Sequence, residues 1–208
     1  TKEIWDTLCR QRNVIQVYNL EEVADVILAF LYLQPPRGRR VGVVGIGGGA
    51  SVQAADDCER AGLIVPPFPK ELRQEIRKFT PPAGTSVLNP VDTSPDVLWS
   101  PALFSKTVEL MANYDGVDFL IVVFLARQVM VRGVQSLREQ IEAAIEGNKG
   151  SGKPLAIVLH SANIFEAEKI DFEVQPQCFK AGFPAYRSVA RAAQAISRFI
   201  GYHENRDL

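Results

Sequence analysis

Cysteine and histidine are scarce in this 208-residue chain, with three and two copies. Cys9, Cys58 and Cys178 are far apart, odd in number and without Cys-x-x-Cys spacing, which argues against a disulfide framework and against a zinc site. The expected compartment is the cytosol. No apolar run approaches the roughly 20 residues needed to span a bilayer, so no membrane partner is expected. No basic leader followed by an apolar segment opens the chain, although Thr1 is not an initiator Met and a lost targeting segment stays open. The formal net charge is -1 and the Lys and Arg residues are scattered, so there is no electrostatic footprint for nucleic acid. An anionic small ligand therefore has to be held locally. With 47% hydrophobic residues, this length suffices for one full core, or for one domain plus part of another.

What is present is an alternation of helical and strand patterns. A polar helix starts near Lys2 and runs to Arg12, and Val14-Ile-Gln-Val17 reads as a short strand. Asn19-Leu-Glu-Glu22 is a capping-box-like start for a helix through Leu31, whose Val23, Val26, Ile27, Phe30 and Leu31 form one apolar stripe. The Pro35-Pro-Arg-Gly38 segment breaks the chain, and residues 1–36 read as the tail of a truncated domain.

From residue 37 onward the strands are continuous apolar runs, as strands covered on both faces are. The clear ones are Arg39 to Val44, Asp118 to Leu125 and Pro154 to Leu159, with weaker candidates at Leu63 to Val65 and Phe183 to Tyr186. Helices are expected over Ala50 to Ala61, Lys70 to Phe79, Pro101 to Asn113, Arg132 to Gly147 and Ser188 to Ile200. The fold class is therefore α/β, a doubly wound parallel sheet with helices on both faces. In that architecture ligands sit beyond the carboxyl ends of the strands. This places Gly45 to Ser51, the Asn89-Pro-Val-Asp92 loop, Ala126-Arg-Gln128 and His160-Ser-Ala162 along one rim.

The strongest signal is Val41-Gly-Val-Val-Gly-Ile-Gly-Gly-Gly-Ala-Ser51, an apolar strand, a glycine cluster and the start of a small-residue helix. Glycine lets the backbone turn sharply, and the unpaired N–H groups of the following helix point at whatever occupies the turn, an arrangement suited to phosphate oxygens. Gly47, Gly48, Gly49, Ala50 and Ser51 are thus the candidate phosphate-binding residues. The other reading is a turn whose glycines only admit close helix packing, although the run is richer in glycine than packing requires. The match to G-x-G-x-x-G/A lacks the acidic residue that would bind ribose, since Leu63-Ile-Val-Pro-Pro67 stands there. No Gly-Lys-Ser/Thr follows, against a nucleotide-triphosphate P-loop. Gly49-Ala-Ser51-Val-Gln53 lacks the last glycine of a nucleophile elbow, and the Ser51 hydroxyl is expected to help cap the helix.

On the secondary rim, Asn89 and Asp92 lie in a long, polar, proline-stiffened loop that reads equally as a functional loop or as an Asx-turn before the Pro101 helix. His160 ends a buried strand and is either a base or a hydrogen-bonded rim residue; His203 lies in a polar tail. No catalytic side chain and no metal site are expected within the chain.

Together the glycine-rich turn, Ala54-Ala-Asp-Asp-Cys-Glu-Arg-Ala-Gly-Leu63, Asn89-Pro-Val-Asp92 and Ala181-Gly-Phe-Pro-Ala-Tyr186 carry a resemblance that covers nearly the whole chain. The chain resembles the NDP-forming acyl-CoA synthetases, which are similar to succinyl-CoA synthetase and include ADP-forming acetate-CoA ligases. The matching region is the flavodoxin-like ligase domain near the end of their CoA-binding half. Residues Trp5 to Leu33 resemble the last strand and helix of the preceding ligase domain, which in the family follows a His-Thr-Gly loop; that loop would lie before Thr1.

The resemblance implies synthesis of an acyl-CoA from a carboxylic acid, CoA and a nucleoside triphosphate, through an acyl phosphate and a phosphohistidine. It implies that the helix beginning at Ala50 points its N-terminus at that phosphohistidine. It implies CoA and ATP or ADP with Mg2+ as ligands of the full enzyme. The implied partners are a CoA-binding Rossmann domain, the His-loop ligase domain and an ATP-grasp domain, with a possible homo-oligomer; the isolated segment would be inactive. The commonest family turn reads Thr-Asn-Ala-Gly-Gly-Pro-Gly, so Ile46 replaces a side-chain amide donor, and His160, followed by Ser161-Ala162, does not match the phosphorylated loop. The alternatives are a noncatalytic module that binds a CoA- or nucleotide-like anion or mediates assembly, and a serine hydrolase using Ser51 with His160.

Overall fold

The computed structural model describes residues 1–45, 47–162 and 164–206, with the side chains of residues 2 and 126–129 outside that description. Its strands are β1 (Val41–Gly45), β2 (Val91–Asp92), β3 (Phe119–Leu125), β4 (Leu155–His160) and β5 (Ala185–Tyr186). The helices are α1 (Lys2–Gln11), α2 (Leu20–Tyr32), α3 (Gly48–Arg60), α4 (Lys70–Arg77), α5 (Pro95–Leu98), α6 (Pro101–Ala112), α7 (Ala126–Asn148), α8 (Phe165–Lys180) and α9 (Val189–Arg206). All strand pairs are parallel, in the order β2-β1-β3-β4-β5. That is the flavodoxin-like winding, in which the connection direction reverses between β1 and β3 and opens a crevice at their carboxyl ends.

The apolar strands divide their side chains between two cores because successive residues point to opposite faces. Leu120, Val122 and Phe124 of β3 join Val44, Ile157 and Leu159 in packing against Phe104, Met111, Leu137, Ile141 and Val174. Phe119, Ile121 and Val123 join Val41, Val43 and Val158 against Val26, Ala54, Cys58, Ala192, Ile196 and Phe199. The three cysteines are free and buried, and burial pushes the Cys58 and Cys178 thiols up to about 12, where they are inert near neutral pH. Among the described residues no helix is long and apolar enough to cross a membrane.

Several elements differ from the sequence reading. Residues 14–17 are not a strand: they pair with no neighbour, and Ile15 and Val17 pack instead against the core that holds α2 and α9. The N-cap of α2 is as expected, with Asn19 accepting from the Glu22 N–H at 2.8 Å, and Glu22 accepts from the Tyr18 N–H at 3.0 Å. Its buried stripe is rotated, however, to Asp25, Val26 and Ala29, leaving Ile27, Phe30 and Leu31 exposed. The rotation follows from Asp25, which accepts two hydrogen bonds from the Arg191 guanidinium of α9 at 2.6 and 3.0 Å. Leu63–Val65 contributes only an isolated bridge between Ile64 and Arg40, and the strand beside β1 is Val91–Asp92.

Helix α8 was not expected at all. Pro176 lies inside it and removes one N–H from the ladder, while Phe165 and Phe172 face solvent, so the segment shows neither an unbroken interior nor a clean apolar stripe. Lys169 covers the Phe165 ring at 4.3 Å and Arg187 covers Phe172 at 4.8 Å. Helix α7 starts at Ala126, six residues before the expected Arg132, and is interrupted at Gly133, whose φ of 82° is non-helical.

Candidate functional site

β1 ends in a turn that only glycine can make. A Cβ on Gly45 would stand 3.0 Å from the Val123 carbonyl oxygen, and Gly47 has φ 106°, a region side chains resist. Gly47 is the N-cap of α3, a helix of 13 residues, and its carbonyl accepts the Ser51 N–H at 2.9 Å. Of the five residues expected to form the seat, Gly48, Gly49 and Ala50 present N–H groups that helix geometry leaves without intrahelical partners. Gly48 and Gly49 are exposed, and a Cβ on Gly49 would meet nothing within 4 Å. The Ser51 hydroxyl does not cap α3, which has no side-chain cap hydrogen bond. Ile46 lies outside the described residues, and so do the side chains of Ala126, Arg127 and Gln128.

Asp92 stands at the turn itself. Its backbone is in register with Gly45, it is only 5% exposed, and its Oδ1 accepts the Gly47 N–H at 2.7 Å. Burial raises its carboxyl above the usual range, and the Gly47 hydrogen bond opposes that rise only in part. The next residue, Thr93, gives both its N–H and its hydroxyl to the Gly45 carbonyl at 3.0 Å each. Ser94 then caps α5, accepting from the Val97 N–H at 3.3 Å. Sequence reasoning missed Thr93 and Ser94 as builders of the turn, although Ser-Pro after an Asx loop is a recognisable helix start.

Asn89 is occupied by the sheet. Its Oδ1 accepts the Val43 N–H at 2.9 Å, and its Nδ2 donates to the Val41 and Pro66 carbonyls at 2.7 and 3.0 Å. It thereby stands in for a strand along the part of β1 that β2 is too short to reach. His160 is brought to the same rim but not to the same place: β3 lies between β4 and β1, a separation of roughly 10 Å at ordinary strand spacing. Its Nδ1 lies 3.3 Å from the Arg187 carbonyl oxygen. No hydrogen bond joins Ser51 to His160 among the described residues, so the serine hydrolase alternative has no nucleophile-base pair here.

Helix N–H groups without intrahelical partners are chemically suited to an anion. The α3 dipole adds partial positive charge at that end of the helix. Among the described residues no group of three or more His, Cys, Asp or Glu side chains could hold a metal ion.

Comparison with known proteins gives a family match, to the Ligase-CoA domain over residues 41–195. The acetate–CoA ligase [ADP-forming] II of Archaeoglobus fulgidus is 27% identical over 206 residues, which are 98% of this chain and 29% of that protein. The alpha subunit of the corresponding Pyrococcus furiosus ligase is 28% identical over 200 residues, 93% of this chain and 41% of that subunit. The chain thus spans well under half the length of these relatives. A crystal structure from Pyrococcus horikoshii OT3 superposes with a TM-score of 0.82 at 23% identity, over 99% of this chain and 45% of that one. The dinucleotide-forming acetyl-coenzyme A synthetase 1 of Ca. Korarchaeum cryptofilum, in complex with phosphate and ADP, gives 0.75 at 23% identity over 100% of this chain and 42% of that one. At such identities these two likenesses bear on the fold, which they share.

Proposed function

The chain belongs to the Ligase-CoA domain family, and from that premise we propose that it is the phosphate-facing ligase domain of an NDP-forming acyl-CoA synthetase. In this reading residues 1–36 are the C-terminal remnant of the preceding ligase domain and residues 37–208 the flavodoxin-like one. The synthetase joins a carboxylic acid to CoA and converts a nucleoside triphosphate to its diphosphate and phosphate. In this reading CoA, ATP or ADP and Mg2+ are ligands of the full enzyme, whose other parts are a CoA-binding Rossmann domain, a His-loop ligase domain and an ATP-grasp domain.

The observation that carries the reading is the turn at the β1 carboxyl end, beside the switch point, where Gly48, Gly49 and Ala50 open α3 with N–H groups that have no intrahelical partner and where Gly48 and Gly49 are exposed. A phosphoryl group on a histidine of a neighbouring domain would be stabilised there by those N–H groups and the α3 dipole. The donors are fixed by the helix before the anion arrives, so they need no reorganisation during transfer. No side chain of this chain has to act as nucleophile or base. The ligase names of the two relatives described above favour this activity class.

The test is complementation. Rossmann, His-loop and ATP-grasp domains mixed with this chain should convert acid, CoA and ATP to acyl-CoA and ADP, and should stall when it is withheld. Equal turnover without the chain would refute the proposal.

A further inference from the structure

The amino ends of the strands carry a second concave surface. Arg40, Asp118 and Pro154 immediately precede β1, β3 and β4, and because these strands are parallel the three residues lie at the end of the sheet opposite the glycine turn. Two cavities open there, of about 370 and 460 Å³, both of a size found for small-molecule sites. They share Gln34, Gly152, Lys153 and Pro154, and so form one groove beside the connection from α2 to β1.

The two halves of the groove differ in chemistry. The first is lined by Arg37, Arg40, Lys153, Asp115 and Asp118. Asp118 is spent on Arg40, accepting from its backbone N–H at 2.8 Å, from Nε at 3.0 Å and from Nη2 at 2.7 Å. Among the described lining residues that leaves two cations, Lys153 and Arg37, against one exposed acid, Asp115. Lys153 gives one of the three donors of its ammonium to the Tyr114 carbonyl at 2.6 Å. Burial lowers that ammonium below its ordinary range; Asp115 and Asp118 oppose the fall, while Arg40 and Arg37 add to it. A cation held at such a cost is relieved when an anion comes into contact with it.

The second half is lined by Tyr32, Ile145, Leu155 and Phe183, and its charges, Glu146 and Lys149, pair with each other at 3.3 Å. The Tyr32 ring is held parallel to Phe179, with centroids 5.2 Å apart and planes at 7°. The loop between the halves is fixed before any ligand arrives. Asn148, only 5% exposed, donates from Nδ2 to the Lys153 carbonyl at 2.8 Å and accepts the Ser151 hydroxyl at 3.0 Å, and Ser151 Oγ accepts the Lys153 N–H at 3.1 Å. Lys153 is thereby presented from a set backbone, which lowers the ordering cost of binding.

We infer that this groove binds an organic phosphate of the nucleoside monophosphate class, with the phosphate on Lys153 and Arg37 and the ring against Tyr32 and Phe183. A point-like ammonium and a planar guanidinium together suit a dianion with several acceptor oxygens, and the apolar half suits a flat body. The inference goes beyond the phosphoryl seat and does not depend on it, since the two lie at opposite ends of the strands.

AMP is the probe, at about pH 8, where its phosphate is doubly charged. Inorganic phosphate and adenosine each supply one half of it alone. The 208-residue chain is titrated with each at low ionic strength and followed by nuclear magnetic resonance. AMP should move the amides of Ser151, Gly152 and Lys153 and the ring protons of Tyr32, bind more tightly than either half, and weaken as salt is added. Lys153→Gln should lower AMP affinity by about tenfold to a hundredfold, the worth of a charged hydrogen bond. Arg37→Gln, at an exposed position, should lower it by up to about fivefold. Tyr32→Leu should weaken AMP by about fivefold or more and leave inorganic phosphate unchanged. Amides of residues 151–153 that ignore AMP would overturn the groove, and shifts confined to Gly48, Gly49 and Ala50 would overturn it while leaving the phosphoryl seat standing. Equal affinity for AMP and inorganic phosphate would overturn the nucleotide class. Wild-type affinity in both cation variants would overturn the phosphate contacts. Should Lys153→Gln not fold, Arg37→Gln and the salt dependence still decide.

Discussion

Gly49→Val separates the turn's chemical role from its structural one. A Cβ at Gly49 finds no atom within 4 Å, and the residue needs no positive φ, so valine enters without strain. Glycine is about 1 kcal/mol worse than alanine in a helix and valine at most about 0.7 kcal/mol worse, so the substitution should be neutral or stabilising by about 0.3 kcal/mol. For a domain of this size that moves the melting temperature by only about 1 °C. The consequence for an anion is large, because the Cα–Cβ bonds of a helix tilt toward its N-terminus and the branched side chain would stand over the free amides. The valine N–H stays in place but its side chain screens the donors from the anion, and complete screening of one donor should match the removal of one, about a hundredfold to a thousandfold in rate. The assay is phosphohistidine formation and acyl-CoA turnover in the assembled synthetase, with thermal unfolding as control. Gly49→Ala, which adds a single methyl, should fall between valine and wild type. A fully folded Gly49→Val enzyme with wild-type phosphoryl transfer would refute the cradle.

Asn89→Ala should instead act through stability. It strips partners from the Val43 N–H and the Val41 and Pro66 carbonyls, and three hydrogen bonds at about 1 kcal/mol each predict a loss of about 2–3 kcal/mol, read as a lower urea midpoint. A change below about 0.5 kcal/mol would mean that water or a shifted strand replaces the amide. Asp171 supplies a pH signature at the other end of the rim, in a crevice lined by Ser161, Glu168, Gln175, Tyr186 and Arg187. Burial pushes its carboxyl up to about 6, with Arg187 pulling down and Glu168 pushing up. A raised acid binds more protons folded than unfolded, so its contribution to stability declines as pH rises from about 4 through about 6. Asp171→Asn should therefore melt higher than wild type at about pH 8, by an amount on the order of 1 kcal/mol after solvent screening, and lose that advantage near pH 4. An advantage independent of pH would exclude this titration as its cause.

The long-range architecture was legible because it is written in runs. Phe119–Leu125 and residues 155–159 are apolar at every position, and that alone demands two covered faces and parallel pairing. The glycine turn was legible for the same local reason, since Gly45 and Gly47 carry a steric requirement that composition displays. β2 was hidden because two residues give no periodicity, and Val91–Asp92 is a strand only through its pairing with Val44 and Gly45. α8 was hidden by Pro176, whose defect is tolerable because the Phe172 side of the helix faces water, a fact of packing and not of propensity. The stripe of α2 was misjudged because an acid, Asp25, is buried by Arg191 from the far end of the chain. At the candidate site the main-chain donors could be anticipated, whereas the settling of Asp92 onto Gly47 depends on the register of a strand that could not.

Both outermost strands, β2 and β5, are only two residues long. The flanks of the sheet therefore offer an incoming polypeptide too few free main-chain groups to nucleate a lateral extension, and the Ser86 arm already covers part of one flank. Fibrillar stacking is disfavoured by design of the perimeter. An association with another polypeptide would have to be made through helix flanks and loop tips, surfaces that can dock and release reversibly without unravelling the sheet.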